Sequence, residues 1–508
     1  MRLLCVLFVA TAVCARGEVR LPKILSSHAV LQRDQPVHIW GWAEVGEKVT
    51  VAFNGARETG EGDRLGLWSV YLPPQNAGGP FEMTVTGKNR ILLEDILVGD
   101  VWFASGQSNM EMPLNGFPGS AVLKNAAEEI RNANHPELRL LYIPHQAAVF
   151  PLNDFKGDVE WTQCTPETAA KFSAVAYLFG RDLATKEHVA VGLIDSSWGG
   201  TPAEAWVSMD GLAADAGLMP VFATWAKMAD EQEEIPALEA AEKHEDEAAR
   251  RAHQPAPNHR WHPPAPVSWD PSWLYNGMVA PAIGFRIKGV IWYQGETNSA
   301  LERAPLYERV FSTLISDWRR EWREGNFPFL FTQISSFKSD ETEDWAVVRE
   351  AQRRTLDAAN TAMAVTIDIG DPDNVHPADK QTVGARLTLA ARAIAYGEKV
   401  EYSGPLFRET SVEEGAVRVW FTHVGGGLAA KGGELKGFEI AAEDRRFGAA
   451  KARIEGKSVV VSSSKVESPK FVRYGWQNAP DVNLFNSDGL PASPFTSEEN
   501  ISVLSATH

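Results

Sequence analysis

Residues 100–112 read DVWFASGQSNMEM. Val101, Trp102, Phe103 and Ala104 form an unbroken apolar run, the pattern of a strand buried on both faces. The run stops at Ser105-Gly106, and Gln107, Ser108, Asn109 and Glu111 follow. Small and amide side chains at the end of a buried strand mark a turn into a helix. Such a turn lifts the side chain at its crest clear of the sheet, so Ser108 is a candidate nucleophile. Gly106 stands two before Ser108 with no matching glycine after it, so the G-x-S-x-G elbow is absent. On this stretch alone an ordinary turn fits as well as a nucleophile does.

The same texture extends over residues 98–402. DVWFAS, LRLLYIP, VAVGLIDSS, KGVIWYQ, PFLFTQIS and AMAVTIDIG read as buried strands. FSAVAYLFGRDLATK, YERVFSTLISDWRREW and ARLTLAARAIAYG read as amphipathic helices. Strands alternating with helices predict an α/β domain, a mostly parallel sheet covered by helices on both faces. In such sheets ligands bind beyond the carboxyl ends of the strands.

On either side the pattern is β. Residues 20–97 alternate apolar and polar positions between turn residues, as in PVHIWGWAEVGEKVTVAFNG, which suits a small β-sandwich. Residues 403–508 carry GAVRVWFTHV and GKSVVVSSS and predict a C-terminal β-rich domain whose last part returns to cover the catalytic one. Residues 226–266 interrupt the middle domain with a charged helix and a Pro/His-rich stretch, a solvated insertion. His253, His259 and His262 lie within it, and a polar loop accounts for them better than a metal site does.

The N-terminus, MRLLCVLFVATAVCARGEV, has one basic residue, an apolar core and small residues before Arg16. It predicts a signal peptide over residues 1–15 and a secreted or periplasmic protein. Cleavage there leaves Cys164 as the single cysteine, so no disulfide framework and no thiolate metal site is expected. The chain carries a formal charge of −17, which argues against nucleic acid and anionic membranes as partners.

Three further segments carry chemical groups to strand ends. DIGDPDNVHPADK, residues 368–380, places Asp373 three before His376, a spacing that lets the carboxylate hold one imidazole nitrogen and leave the other free as a base. VIWYQGETN, residues 290–298, brings Gln294 beside Gly295, with Glu296 and Asn298 next. Its amides suit an oxyanion, while Glu296 suits a glycosidase carboxylate. GLIDSSWGGTPAEAW, residues 192–206, presents Gly199-Gly200, whose bare backbone N–H groups also suit an oxyanion, between Trp198 and Trp206. Together these segments and Ser108 supply nucleophile, base, orienting acid and oxyanion donors, the equipment of acyl transfer. A glycoside hydrolase built on Glu296 and a non-catalytic carbohydrate-binding protein are the rival classes.

GQSNM, SSWGGTPAEAW, YQGETN and DNVHP as a set resemble the sialate O-acetylesterase-like branch of the SGNH (GDSL-like) hydrolases, and the likeness spans nearly the whole chain outside residues 226–266. The resemblance implies a three-layer α/β/α, flavodoxin-like catalytic domain with no metal and no cofactor, hydrolysing acetyl esters on sugars. It implies Ser108 as nucleophile, His376 as base and Asp373 as its partner. It assigns the oxyanion to the N–H groups of Ser108 and of Gly199 or Gly200 with an amide side chain, Gln294 or, through a different turn, Asn298. The chain departs from the wider superfamily where Gly-Asp-Ser reads Gly106-Gln107-Ser108 and where Gly-x-Asn-Asp reads Gly295-Glu296-Thr297-Asn298. Sialic acid derivatives and acetylated polysaccharides such as xylan both fit. Trp198, Asn298 and Arg349 are the candidate sugar contacts, Arg349 for a sialate carboxylate.

Overall fold

A computed structural model of the chain describes residues 18–118, 122–231, 235–259 and 266–499. The expected signal peptide and His262 lie outside the described residues.

The quoted stretch is the end of one long strand, β1 (Arg90–Gly106). Around it lie β2 (His135–Tyr142), β3 (Thr162–Cys164), β4 (Val191–Ser197), β5 (Gly289–Tyr293), β6 (Phe329–Thr332) and β7 (Thr361–Ala364). The sheet order is β7-β6-β5-β1-β4-β2-β3, parallel throughout except for β3. Each apolar strand read from the sequence is present, as is the parallel order that their alternation with helices predicts.

Side chains along β1 alternate between two apolar clusters. Phe103 meets Trp318 and Trp322 edge-on at 5.6 and 5.4 Å, while Trp102 meets Phe179 edge-on at 5.0 Å in the other cluster. The uninterrupted apolar run is therefore the local consequence of burial on both faces. The helices supply the matching stripes. In α3 (Tyr307–Trp322) the buried positions Tyr307, Val310, Phe311, Leu314, Ile315, Trp318 and Trp322 recur at helical spacing. α2 (Ala174–Glu187) packs on β2 and β4. α4 (Trp345–Arg354) packs beside α3, and α5 (Lys380–Ile394) lies on β6 and β7. α5 starts earlier than its apolar periodicity predicts, because the Asp379 side chain caps it by accepting from Thr382 N at 3.0 Å. Lys380 thereby becomes the first residue of a helix and not the end of a loop.

The N-terminal β region is continuous with this sheet. The first half of β1 pairs antiparallel with Gly78–Thr86 and parallel with Val30–Gln32, so one strand crosses the expected boundary at residues 97–98. In the C-terminal region, Leu406–Glu413, Ala416–Thr422, Ser458–Ser462 and Lys451–Glu455 form one antiparallel sheet, with a second four-stranded sheet and a two-stranded one alongside in the chain. Its last loop is tied back to the central domain: Trp345 N donates to Asn478 Oδ1 at 3.0 Å and Gln333 Nε2 donates to Ser493 Oγ at 2.8 Å. In the insertion, the helix Ile235–Arg251 has no buried residue, as its charge pattern predicts.

Candidate functional site

The register of the sheet brings the distant polar segments level. Gly106 of β1 stands opposite Ser197 of β4 and Tyr293 of β5. Ser108, the Trp198–Gly200 turn and Gln294 therefore leave the sheet at one edge. α1 (Ser108–Glu111) is a single turn, closed by Met112 N donating to Ser108 O at 2.8 Å. The turn before it requires glycine. A Cβ on Gly106 would lie 2.1 Å from the Tyr293 carbonyl oxygen, and its φ is +138°. Gly106→Ala is expected to destabilise the fold by about 2 kcal/mol or more; an unchanged denaturation midpoint would show that this close approach is not needed.

His376 reaches Ser108 from the far side of the sheet. It sits on the segment between β7 and α5, where the Asn374 side chain accepts from His376 N at 2.9 Å. Nε2 of His376 lies 2.8 Å from Ser108 Oγ, a distance at which the hydroxyl donates to the neutral ring. Phe117 closes on the imidazole edge-on at 5.7 Å. Burial, followed by the nearby Lys380 ammonium, pushes the His376 pKa down to about 4, while the Glu111 carboxylate acts in the opposite direction. At neutral pH the ring is unprotonated and ready to accept a proton.

Asp373 is not brought to this ring. Its side chain is 84% exposed, with Lys338 Nζ at 3.9 Å, and its own N–H donates to Asp371 Oδ1 at 2.9 Å. Among the described residues Nδ1 of His376 has no hydrogen-bond partner.

The amides beside the site are bonded within the framework. Gln294 Nε2 donates to Asn298 Oδ1 at 2.6 Å and to Thr201 O at 3.2 Å, and its Oε1 accepts from Tyr307 Oη at 2.9 Å. Asn298 Nδ2 donates to Glu204 Oε2 at 2.8 Å. Gln107 Oε1 accepts from Thr297 N at 3.2 Å, joining the nucleophile turn to the QGETN turn. Neither Gln294 nor Asn298 is bonded to Ser108.

The Gly199-Gly200 turn does stand against the nucleophile. A Cβ on Gly199 would lie 3.2 Å from Ser108 Cβ and 2.9 Å from Glu111 Oε2. The Gly199 N–H donates to Glu111 Oε2 at 2.5 Å. Among the described residues the N–H groups of Ser108 and Gly200 make no hydrogen bond. Glu111 also meets His145 Nε2 at 2.9 Å, and the His145 ring stacks flat on Trp198 with centroids 4.3 Å apart. Arg349 is remote in its contacts: fully buried, it donates to the carbonyls of Gln477 and Asn478 and fastens α4 to the C-terminal loop.

Sequence reasoning missed Glu111 and His145 as members of the site. His145 follows the strand LRLLYIP, so its position at a strand end was the available signal. Glu296, the candidate glycosidase carboxylate, is buried and accepts from Asn109 Nδ2 at 2.6 Å.

Comparisons with known proteins bear on this geometry. The family described as carbohydrate esterase, sialic acid-specific acetylesterase (SASA), matches residues 259–394, a span that includes Gln294, Glu296 and His376. A sialate O-acetylesterase from Pongo abelii is 31% identical over 94% of this chain and 92% of its own length. One from Rattus norvegicus is 34% identical over 76% of each. The crystal structure of a carbohydrate acetylesterase from Xanthomonas citri superposes with a TM-score of 0.81 at 37% identity, covering 95% of this chain and all of that one. With likeness running along nearly its full length to relatives of this kind, the chain belongs to the sialate O-acetylesterase family.

Proposed function

We propose that the protein hydrolyses acetyl esters on sugars through an acetyl-enzyme formed on Ser108, with His376 as the proton carrier. The observation that carries this reading is the 2.8 Å approach of His376 Nε2 to Ser108 Oγ by residues 268 positions apart. A serine hydroxyl is a weak nucleophile without an adjacent base, and a neutral imidazole at this distance supplies one. His376 takes the hydroxyl proton as Oγ bonds to the acetyl carbonyl carbon. The resulting oxyanion is held by backbone N–H groups of Ser108 and of the Gly199-Gly200 turn, Gly200 being the one with no competing acceptor. His376 then returns the proton to the departing sugar oxygen. A water molecule, deprotonated by the same ring, releases acetate and restores Ser108.

We assign this chemistry to a three-layer α/β/α SGNH domain at residues 98–402, flanked by β domains at 20–97 and 403–508. The parallel order β4-β1-β5-β6-β7 and the apolar clusters on both faces of the sheet support the three-layer arrangement. The N-terminal 15 residues support secretion or a periplasmic location. No helix among the described residues is long and apolar enough to cross a membrane.

Asp373 is the residue we assign to orient His376, on its spacing and on the open position beside Nδ1. Acid–base contacts of a free enzyme often tighten only when substrate is bound. Asp373→Asn is expected to lower kcat by about 100-fold or more, and Asp371→Asn by much less. Kinetics of the two variants decide the point; the reverse order would transfer the role to Asp371. The substrate class is tested by measuring acetate released from acetylated sialic acids, acetylated xylan and simple acetyl sugars. Free sugar released without acetate would favour a glycoside hydrolase.

A further inference from the structure

Three polar groups buried beneath the nucleophile and the base have no part in the steps above. Asn109 follows Ser108 directly, and Val375 directly precedes His376. The Asn109 amide joins them: its Nδ2 donates to the Val375 carbonyl at 3.0 Å and to Glu296 Oε1 at 2.6 Å. Lys380 Nζ, at the start of α5, donates to Asn109 Oδ1. All three side chains are buried, and Glu296 Oε2 has no hydrogen-bond partner among the described residues.

Burying a carboxylate and an ammonium that do not bond each other directly is costly, and an isolated amide would not require it. The arrangement does have a geometric consequence. A carboxylate can only accept and an ammonium can only donate. Lys380 therefore fixes Oδ1 as the side of the Asn109 amide that faces it, and Glu296, whose pKa burial raises, accepts from Nδ2 through Oε1. In that orientation Nδ2 faces the Val375 carbonyl.

We propose that Glu296, Asn109 and Lys380 form a positioning device that sets the distance between Ser108 and His376. It rests on the reading of Ser108 and His376 as nucleophile and base. The device acts through Asn109 on the main chain before His376. Two charged groups act on the imidazole, Lys380 from α5 and Glu111 from α1. Asp373 and Lys338 face each other on the exposed side of the loop. Burial brings the pKa of Lys380 down to about 7, with Glu296 opposing, so the lysine is charged at the acidic pH where His376 titrates.

The test measures kcat and KM for acetate release, with pH profiles, in four single variants. Glu296→Leu is expected to lower kcat at least about tenfold with KM within about twofold, since small displacements of reacting groups carry such losses. Glu296→Gln, whose amide oxygen still accepts from Asn109, is expected to stay within about threefold of wild type. Lys380→Met removes the donor to Asn109 Oδ1 and is expected to lower kcat at least about tenfold with KM within about twofold. Ser108→Ala is the control for the underlying reading. If Ser108→Ala stays active, that reading fails and takes this one with it. If Ser108→Ala is inactive, three results overturn the positioning device alone: full activity in Glu296→Leu, equal inactivity in Glu296→Gln and Glu296→Leu, or full activity in Lys380→Met. Should Glu296→Leu not fold, the kcat of Lys380→Met decides.

Discussion

Ser108→Ala is expected to reduce kcat for acetate release by about 10,000-fold or more while leaving the protein folded. The expectation follows from what the hydroxyl does in the structure. Its one hydrogen-bonding neighbour among the described residues is Nε2 of His376. The turn that carries it is built from other atoms: Gln107 N donates to Tyr293 O at 3.0 Å, Met112 N to Ser108 O at 2.8 Å, and Gly106 fills a space with no room for a side chain. Losing one side-chain hydrogen bond costs about 1 kcal/mol of stability, a small part of the total for a folded domain. The bond-forming atom, by contrast, is gone. Residual turnover would come from the backbone N–H groups acting on water. Steady-state kinetics with a denaturation curve separate the two effects, and a variant with near-normal turnover would exclude Ser108 as the nucleophile.

The second large effect concerns His376 and pH. His376→Ala is expected to lower kcat by about 1,000- to 10,000-fold with little change in KM, because the ring acts on protons and not on sugar binding. In the unaltered esterase the sign of the pH dependence follows from the ring's surroundings. The base must be neutral to accept the Ser108 proton. Burial first and Lys380 second lower its pKa to about 4 from the ordinary 6.5. The acid limb of kcat/KM should accordingly fall near pH 4, and the enzyme should keep activity through pH 5 to 6, where an ordinary histidine would already be largely protonated. A limb centred near pH 6.5 would show that the imidazole is exposed to solvent in the working enzyme. Substrate that excludes water from the ring would keep its pKa low in kcat as well.

Much of this architecture can be read from one dimension because its causes are local. An apolar run such as Val101 to Ala104 is apolar at every position because both faces of its strand are covered, and its end at Ser105-Gly106 marks where the strand gives way to the turn, with Ser105, Gln107 and Asn109 still buried. The stripe of α3 repeats every three to four residues because one face of a helix meets the core. Ser108 was legible because it stands just past the end of β1, and His376 because it lies on the loop that follows β7, beyond the strand ends where a parallel sheet places its ligand site.

What the tertiary structure alone decided involves groups whose partners lie far away along the chain. Asp373 reads as the partner of His376 from its spacing, yet the turn from Asp371 to Asn374 directs its carboxylate to solvent. Arg349 reads as a candidate for a sialate carboxylate, yet α4 faces the 477–478 loop, and the guanidinium is used there. Gln294 and Asn298 read as oxyanion donors and are bonded to each other across the QGETN turn. Glu111, taken with Gly199 and His145, and Glu296, taken with Asn109 and Lys380, acquire meaning only once β1, β4 and β5 lie in register. Local periodicity determines which face of an element is buried and where it ends. Which polar side chains then meet at those ends depends on sheet register and loop direction, set by packing between segments that no short stretch of sequence contains.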